Sequence, residues 1–239
     1  MSILQSIENG VATLTLNRPE SRNALNLAMC DGIIEAGKAA CADDSIKLFL
    51  VRANGPAFCA GADLKERQGM SAAQVRERRM KGFAAYAALE ALPMPSIAVV
   101  QGPAVGSGCE IAGACDFIVA TPAASFRTPE ALRGAVGATQ RLPRILGKRL
   151  AKDMMFTGRT LGAQEAKAAG LIARLVSASE LEEVLADIKS KILNAPSGSL
   201  RLAKRCIDRG VERNPEDALA IEIAAIEEQL AGGSWMGKK

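Results

Sequence analysis

Histidine is absent from all 239 residues. That excludes Ser-His-Asp and Cys-His catalysis and any histidine metal site. Acid/base chemistry must then fall to Asp, Glu, Lys, Cys or the lone Tyr86. Aromatic residues make up only 3% of the chain, which argues against the stacking platforms that hold single-stranded nucleic acid. The six cysteines form no Cys-x-x-Cys spacing, so zinc and thioredoxin-like readings have no support. The opening MSILQSIENG lacks the positive start and apolar core of a signal peptide. No apolar run approaches the roughly 20 residues of a membrane helix. These absences predict a cytoplasmic protein with reduced thiols and no membrane partner.

What is present is ordinary for a globular chain. Hydrophobic residues are 49% and charged residues 23%, enough for a substantial core. A formal charge of +4 falls short of a dedicated nucleic-acid binder and suits a small anionic ligand. Asn9-Gly10 between apolar runs predicts a hairpin over 2–17. An amphipathic helix is expected over 26–41, a buried strand over 46–52, and a helix from a capping box at Ser71 and Gln74 to about Leu92. Strands follow at 96–101 and 116–120, separated by a small-residue loop from Gly102 to Gly108 and a short helix over 108–114. After Pro122 the pattern reads as helical at 129–133, 139–147, 148–156, 163–169, 179–194, 198–213 and 215–231, with one strand at 171–176. Alternation in the first half predicts an α/β core. A soft boundary near 195–198 sets a core over 1–195 apart from a helical region over 196–239, for capping or oligomerisation.

Four segments carry candidate chemistry. Phe58-Cys59-Ala60-Gly61-Ala62-Asp63-Leu64 runs from a strand into a small-residue turn, where backbone N–H groups can approach a ligand oxygen. Taken alone it is also an ordinary strand-to-helix connection. Gly102 to Glu110 repeats the theme, without matching the dinucleotide fingerprint or Walker A. Two such loops after two strands can aim their donors at one point, the geometry of an oxyanion hole. Glu110 and Glu130 each sit at a predicted helix start, where an acid ordinarily just complements the helix dipole. Glu110, however, lies among Gly, Cys, Ala and Ile, where poor solvation raises a carboxyl pKa toward the range of acid/base work. The charged run from Lys65 to Lys81 reads as a solvated helix face, with phosphate or RNA contact as the sharper alternatives.

In this order and spacing, the segments resemble the crotonase family, the enoyl-CoA hydratase/isomerase superfamily, over about residues 3–230. The further carriers are Asn17-Arg18-Pro19, Asn23-Ala24-Leu25, Pro129-Glu130, Thr139-Gln140-Arg141-Leu142-Pro143 and Thr157-Gly158 through Gly170-Leu171. The resemblance implies a crotonase-like β/α spiral core with a helical C-terminal region. It also implies homotrimers, commonly paired into hexamers, and acyl-CoA thioester substrates. By position, the backbone N–H groups of Ala62 and Ser107 polarise the thioester carbonyl. The CoA moiety lies along Arg22, Ala24, Ala60, Asp63, Leu64 and Gly106. Glu110 mainly activates water, and Glu130 mainly exchanges the proton at the α-carbon. No metal or redox cofactor is implied, since CoA is part of the substrate.

Two departures stand out. The family's longer Gly/Pro-rich loop after the second glutamate is replaced by Gly134-Ala135-Val136-Gly137-Ala138, leading directly into Thr139. The family's C-terminal CoA-contacting segment is not matched, so those contacts are not carried over. The expected activity is hydration of a trans-2-enoyl-CoA. An enoyl-CoA isomerase or a hydrolase of a CoA thioester or β-diketone on the same fold is the alternative that the short loop motivates. The branch closest in Gly61–Arg67 includes an RNA-binding member, so an RNA-binding or scaffold role is the remote alternative, disfavoured by weak charge and few aromatics.

Overall fold

Asn9 and Gly10 both take positive φ, 50° and 79°, as a tight hairpin between β1 (Ile3–Glu8) and β2 (Val11–Leu16) requires. A computed structural model describes residues 1–232. The end of the predicted 196–239 region, residues 233–239, lies outside the described residues. From β2 the chain crosses through α1 (Leu27–Ala42) to β3 (Leu48–Ala53), and through α2 (Ala72–Glu90) to β4 (Ser96–Val100). Both helices start on sequence-readable caps. The Asn26 side chain accepts from the Met29 N–H, and Ser71 and Gln74 form the expected capping box. With β6 (Phe117–Ala120) and β9 (Arg174–Leu175), these strands form one sheet of order β1-β2-β3-β4-β6-β9, parallel except for the hairpin.

The central strands read as continuous apolar runs because both sheet faces are covered. Phe49 and Val51 of β3, with Ala98 and Val100 of β4, point into the main core beside Met29 and Ile33 of α1. Their neighbours Leu48, Leu50, Ile97 and Val99 point the other way, against Leu181, Leu185 and Ile188 of α6 (Leu181–Asn194). The period of two thus divides one run between two packing layers.

A second, smaller sheet of order β5-β7-β8 joins Pro103–Val105, Ser125–Arg127 and Leu161–Gly162. It corrects the expected loop at 102–108 and the mostly helical reading after Pro122, which held one strand at 171–176 but none at 125–127 or 161–162. Strands of two or three residues hold no readable period, and their pairing is non-local. The predicted helices 139–147 and 148–156 form one run, α4 (Arg141–Thr157), broken at Gly147 with φ 76°. The 171–176 strand shrinks to β9. The remaining helices are α3 (Ser107–Gly113), α5 (Ala163–Ala168), α7 (Ser197–Gly210) and α8 (Pro215–Ala231). α7 and α8 pack on each other, and α7 is tied to the core by Lys204–Asp116 and Arg201–Asp44 ion pairs of 2.8 Å each.

The charged run also differs from expectation. Residues 65–69 are turns rather than helix. Arg78, expected on a solvated face, is buried and donates to Glu66 at 2.7 Å and to the Leu25 carbonyl. Glu66 in turn accepts from the Leu27 N–H, 2.9 Å away at the start of α1. This staple holds the 62–70 turn against the core.

Asn23 performs a similar service one segment earlier. Fully buried, it donates to the Asn54 and Ala57 carbonyls (2.8 and 2.9 Å) and accepts from the Arg18 N–H (2.7 Å). Asn23→Ala strands the Arg18 N–H and the Asn54 carbonyl, while Gln101 still donates to the Ala57 carbonyl at 3.3 Å. Urea denaturation is expected to show a loss of about 3 kcal/mol, as each buried unsatisfied group costs roughly 1–3 kcal/mol.

Candidate active site

Two strand-to-helix units meet at the rim of the large sheet. Cys59 bridges Ala104 of β5, and the Val105 N–H donates to the Cys59 carbonyl at 2.8 Å. The chain then turns at Gly106 into α3. A Cβ at Gly108 would stand 2.4 Å from the Cys59 carbonyl oxygen, so only glycine allows this close approach. On its other side the 59–63 segment pairs with Leu25. The Leu25 N–H donates to Gly61 at 2.7 Å, and the Asp63 N–H donates to Leu25 at 2.9 Å. Ala62 lies between these bonds, opposite Leu25 in the bridge. The Ala62 and Ser107 N–H groups donate to no other group among the described residues. Both residues line one cavity of about 110 Å³, together with Glu110 and Glu130. The structure therefore brings together all four residues that the sequence nominates for chemistry.

Glu110 sits in the first turn of α3, 6% exposed. Its Oε2 accepts from Arg141 Nη1 at 2.7 Å, while its Oε1 has no partner. Burial pushes its carboxyl above the ordinary range. Arg141 offsets this only in part, and Glu90 adds to the rise. Glu130 precedes a 3-10 turn at Ala131–Arg133 rather than an α-helix, and its Oε2 is likewise buried without a partner. Burial raises Glu130 too. Its own backbone N–H, Arg133 and Arg79 oppose the rise, and Glu110 reinforces it. Two carboxyl groups, each with a free oxygen, face one cavity, and Glu110 raises Glu130.

The buried thiols and the phenol near the site are held toward their protonated forms. Burial pushes the Cys59 thiol up to about 12 and raises Cys109 further. Tyr86 is raised by burial, only partly offset by the Ser107 hydroxyl. All six cysteines are unpaired. Of the groups lining this cavity, the two carboxyls are the ones whose chemistry suits proton transfer.

The nominated ligand-contact residues scatter more widely. Arg22 is exposed at the end of a 3-10 turn, and its carbonyl accepts from the Ala60 N–H at 2.9 Å. Ala24 and Ala60 are half-buried, and Leu64 is 55% exposed. These positions form the outer rim of the 59–64 turn and do not line the cavity. The Asp63 carboxylate is taken up by Arg18 at 2.9 Å and by the Lys65 N–H at 3.0 Å. Although burial works in the opposite direction, those bonds hold its carboxyl below the usual range. Gly106, with φ 50°, makes room for Glu130: a Cβ there would stand 2.2 Å from Glu130 Oε1. Arg141 carries no role in the sequence reading, and nothing in local sequence pairs it with Glu110. The fold alone puts them in contact.

The sequence model described as enoyl-CoA hydratase/isomerase matches residues 6–233. The short-chain-enoyl-CoA hydratase of Clostridium acetobutylicum is 36% identical over 233 residues, covering 95% of this chain and 88% of that protein. The crotonyl-CoA hydratase of Syntrophomonas wolfei is 35% identical over 228 residues, covering 94% and 88%. Among solved structures, an enoyl-CoA hydratase of Mycobacterium smegmatis superposes with a TM-score of 0.92 at 34% identity, covering 96% of this chain and 91% of that one.

Proposed function

Because the chain belongs to the enoyl-CoA hydratase/isomerase family, we propose that it is an enoyl-CoA hydratase, adding water across the double bond of a trans-2-enoyl-CoA thioester. The observation that carries this reading is the single cavity shared by two unpaired amides and two glutamates with free oxygens. The thioester oxygen sits against the Ala62 and Ser107 N–H groups. Glu110 takes a proton from water as the oxygen of that water bonds to C3. The π electrons shift through C2 onto the carbonyl oxygen, where the two amides stabilise the growing charge more than they stabilise the ground state. Glu130 delivers a proton to C2. Water adds with no net oxidation or reduction, so the chemistry calls for no redox cofactor and uses only the chain's own groups.

The CoA moiety is placed along Arg22, Ala24, Ala60, Asp63, Leu64 and Gly106, with the main chain of the 60–64 turn as its track. Exposed Ile207 of α7, Val211 just after it, and Leu219, Ile223, Ile226 and Leu230 of α8 support association of copies, since large apolar patches mark association surfaces. The resemblance makes the assembly a homotrimer, commonly paired into a hexamer. Light scattering is expected to give three or six times the chain mass. Among the described residues no helix is long and apolar enough to cross a membrane.

Purified protein is expected to bleach the conjugated-thioester absorbance of crotonyl-CoA and to yield 3-hydroxybutyryl-CoA. A product with a shifted double bond, or release of free CoA thiol, would overturn hydration in favour of isomerisation or hydrolysis.

A further inference from the structure

Arg141 stands between two carboxylates. Its Nη1 donates to Glu110 at 2.7 Å and its Nη2 to Glu90 at 2.6 Å, while the guanidinium lies 5.7 Å from the centre of the Tyr86 ring. Glu110 and Arg141 are largely shielded from solvent, with side chains 7% and 17% exposed. Glu90, the last residue of α2, is 57% exposed. Glu130 forms no ion pair among the described residues, so the cation is aimed at one glutamate of the pair.

We propose that Arg141, its pull divided with Glu90, is the positioning residue that keeps Glu110 as the carboxylate and leaves Glu130 as the protonated partner. This rests on the hydratase reading above. It gives the division of labour a physical cause. Two buried carboxyl groups facing one cavity cannot both ionise cheaply, and the charge on Glu110 opposes ionisation of Glu130. The member with a guanidinium at hydrogen-bond distance keeps the charge. Glu110 then presents its unpartnered Oε1 to water, and Glu130 holds the proton destined for C2.

The charged and titratable surroundings agree with this order. α2 contributes Glu90 and Tyr86 near Glu110, and Arg79 near Glu130. α4 contributes Arg141, and α3 contributes Cys109. The 130–133 turn contributes Glu130 and Arg133. α7 brings Asp208, which feels Glu90 and Lys204. Arg144 lies on the outer side, paired with Glu212. Among these only Arg141 is a cation bonded to Glu110, and Glu90 competes with Glu110 for it. Removing the cation and removing its competitor should therefore act in opposite directions.

The test is the pH profile of kcat/KM for crotonyl-CoA hydration in the native protein, Arg141→Gln, Arg141→Lys and Glu90→Gln. The acid limb is expected to move up by about 1–3 pH units in Arg141→Gln, the usual effect of an adjacent guanidinium on a carboxyl. Arg141→Lys should restore much of the native limb, and Glu90→Gln should move it down. An unmoved limb in Arg141→Gln, or a limb that rises in Glu90→Gln as well, overturns the proposal. If Arg141→Gln does not fold, Glu90→Gln at its more exposed site decides alone, and an unmoved limb there overturns it. Carbon-13 titration of the glutamate carboxyls in the same proteins reads the order of ionisation without turnover. It separates failure of this inference from failure of the hydratase reading, which would appear as a native protein inactive on crotonyl-CoA.

Discussion

Glu110→Gln and Glu130→Gln are each expected to cut crotonyl-CoA hydration by about 10²–10⁴-fold, the usual contribution of a proton-transfer group. Glutamine keeps the shape of each side chain but neither takes a proton from water nor gives one to carbon. Binding of a saturated acyl-CoA, measured by titration, should change far less, because the Ala62 and Ser107 amides remain. The double variant should be little worse than the weaker single variant, since residues that act as a unit do not add. Full activity in either single variant would remove that glutamate from the chemistry.

The same substitutions carry a stability signature. Burial raises both carboxyls above their ordinary value of 4.5. A carboxyl raised on folding contributes stability that is fully present below its unfolded pKa and is lost as pH rises through its folded pKa. The native protein should therefore lose stability from acid toward neutral pH through these two groups. Glu130→Gln lacks that loss and is expected to melt above the native protein near pH 8, with the difference closing in acid. Glu110→Gln should gain less, because it leaves Arg141 with Glu90 as its one remaining carboxylate. An inactive but more heat-resistant Glu130→Gln is the trade expected of a site held in an unfavourable electrostatic state.

The second large effect is expected from Gly106→Ala. At φ 50° and ψ −107° the backbone is strained for any residue with a Cβ, costing about 1–3 kcal/mol. The larger consequence is local. The new methyl would occupy a point 2.2 Å from Glu130 Oε1, and the carboxyl is the softer partner. Glu130 swings away while α3 stays seated. Turnover is expected to fall by at least about 10²-fold, approaching Glu130→Gln, while circular dichroism and the denaturation midpoint show a folded chain. Near-native turnover would mean that the position of Glu130 is not critical. The sequence resemblance assigned Gly106 to the ligand. The structure adds that Gly106 leaves space for the second glutamate.

Much of the fold was readable in order along the chain. The Asn9-Gly10 turn, the Ser71 capping box and the apolar runs at β3 and β4 announce themselves through turn chemistry, caps and burial. These are local signals, decided within a few residues. The Glu pair and the two small-residue loops were legible for the same reason. With no histidine present, and each loop following a buried strand, few other groups could serve. Local signal failed for β5, β7 and β8, whose two or three residues become strands only through partners elsewhere in the chain. It failed again for Arg78, whose burial depends on Glu66 and the Leu25 carbonyl.

Sequence by itself thus determined the kinds of group available and the elements that carry them, because propensity, capping and hydrophobic period act over short stretches. Only the tertiary structure decided what surrounds each of the two glutamates. α4 packs against both α3 and the 131–133 turn, yet Arg141 pairs with Glu110 and forms no ion pair with Glu130 among the described residues; such a contact depends on distance in space rather than on separation along the chain.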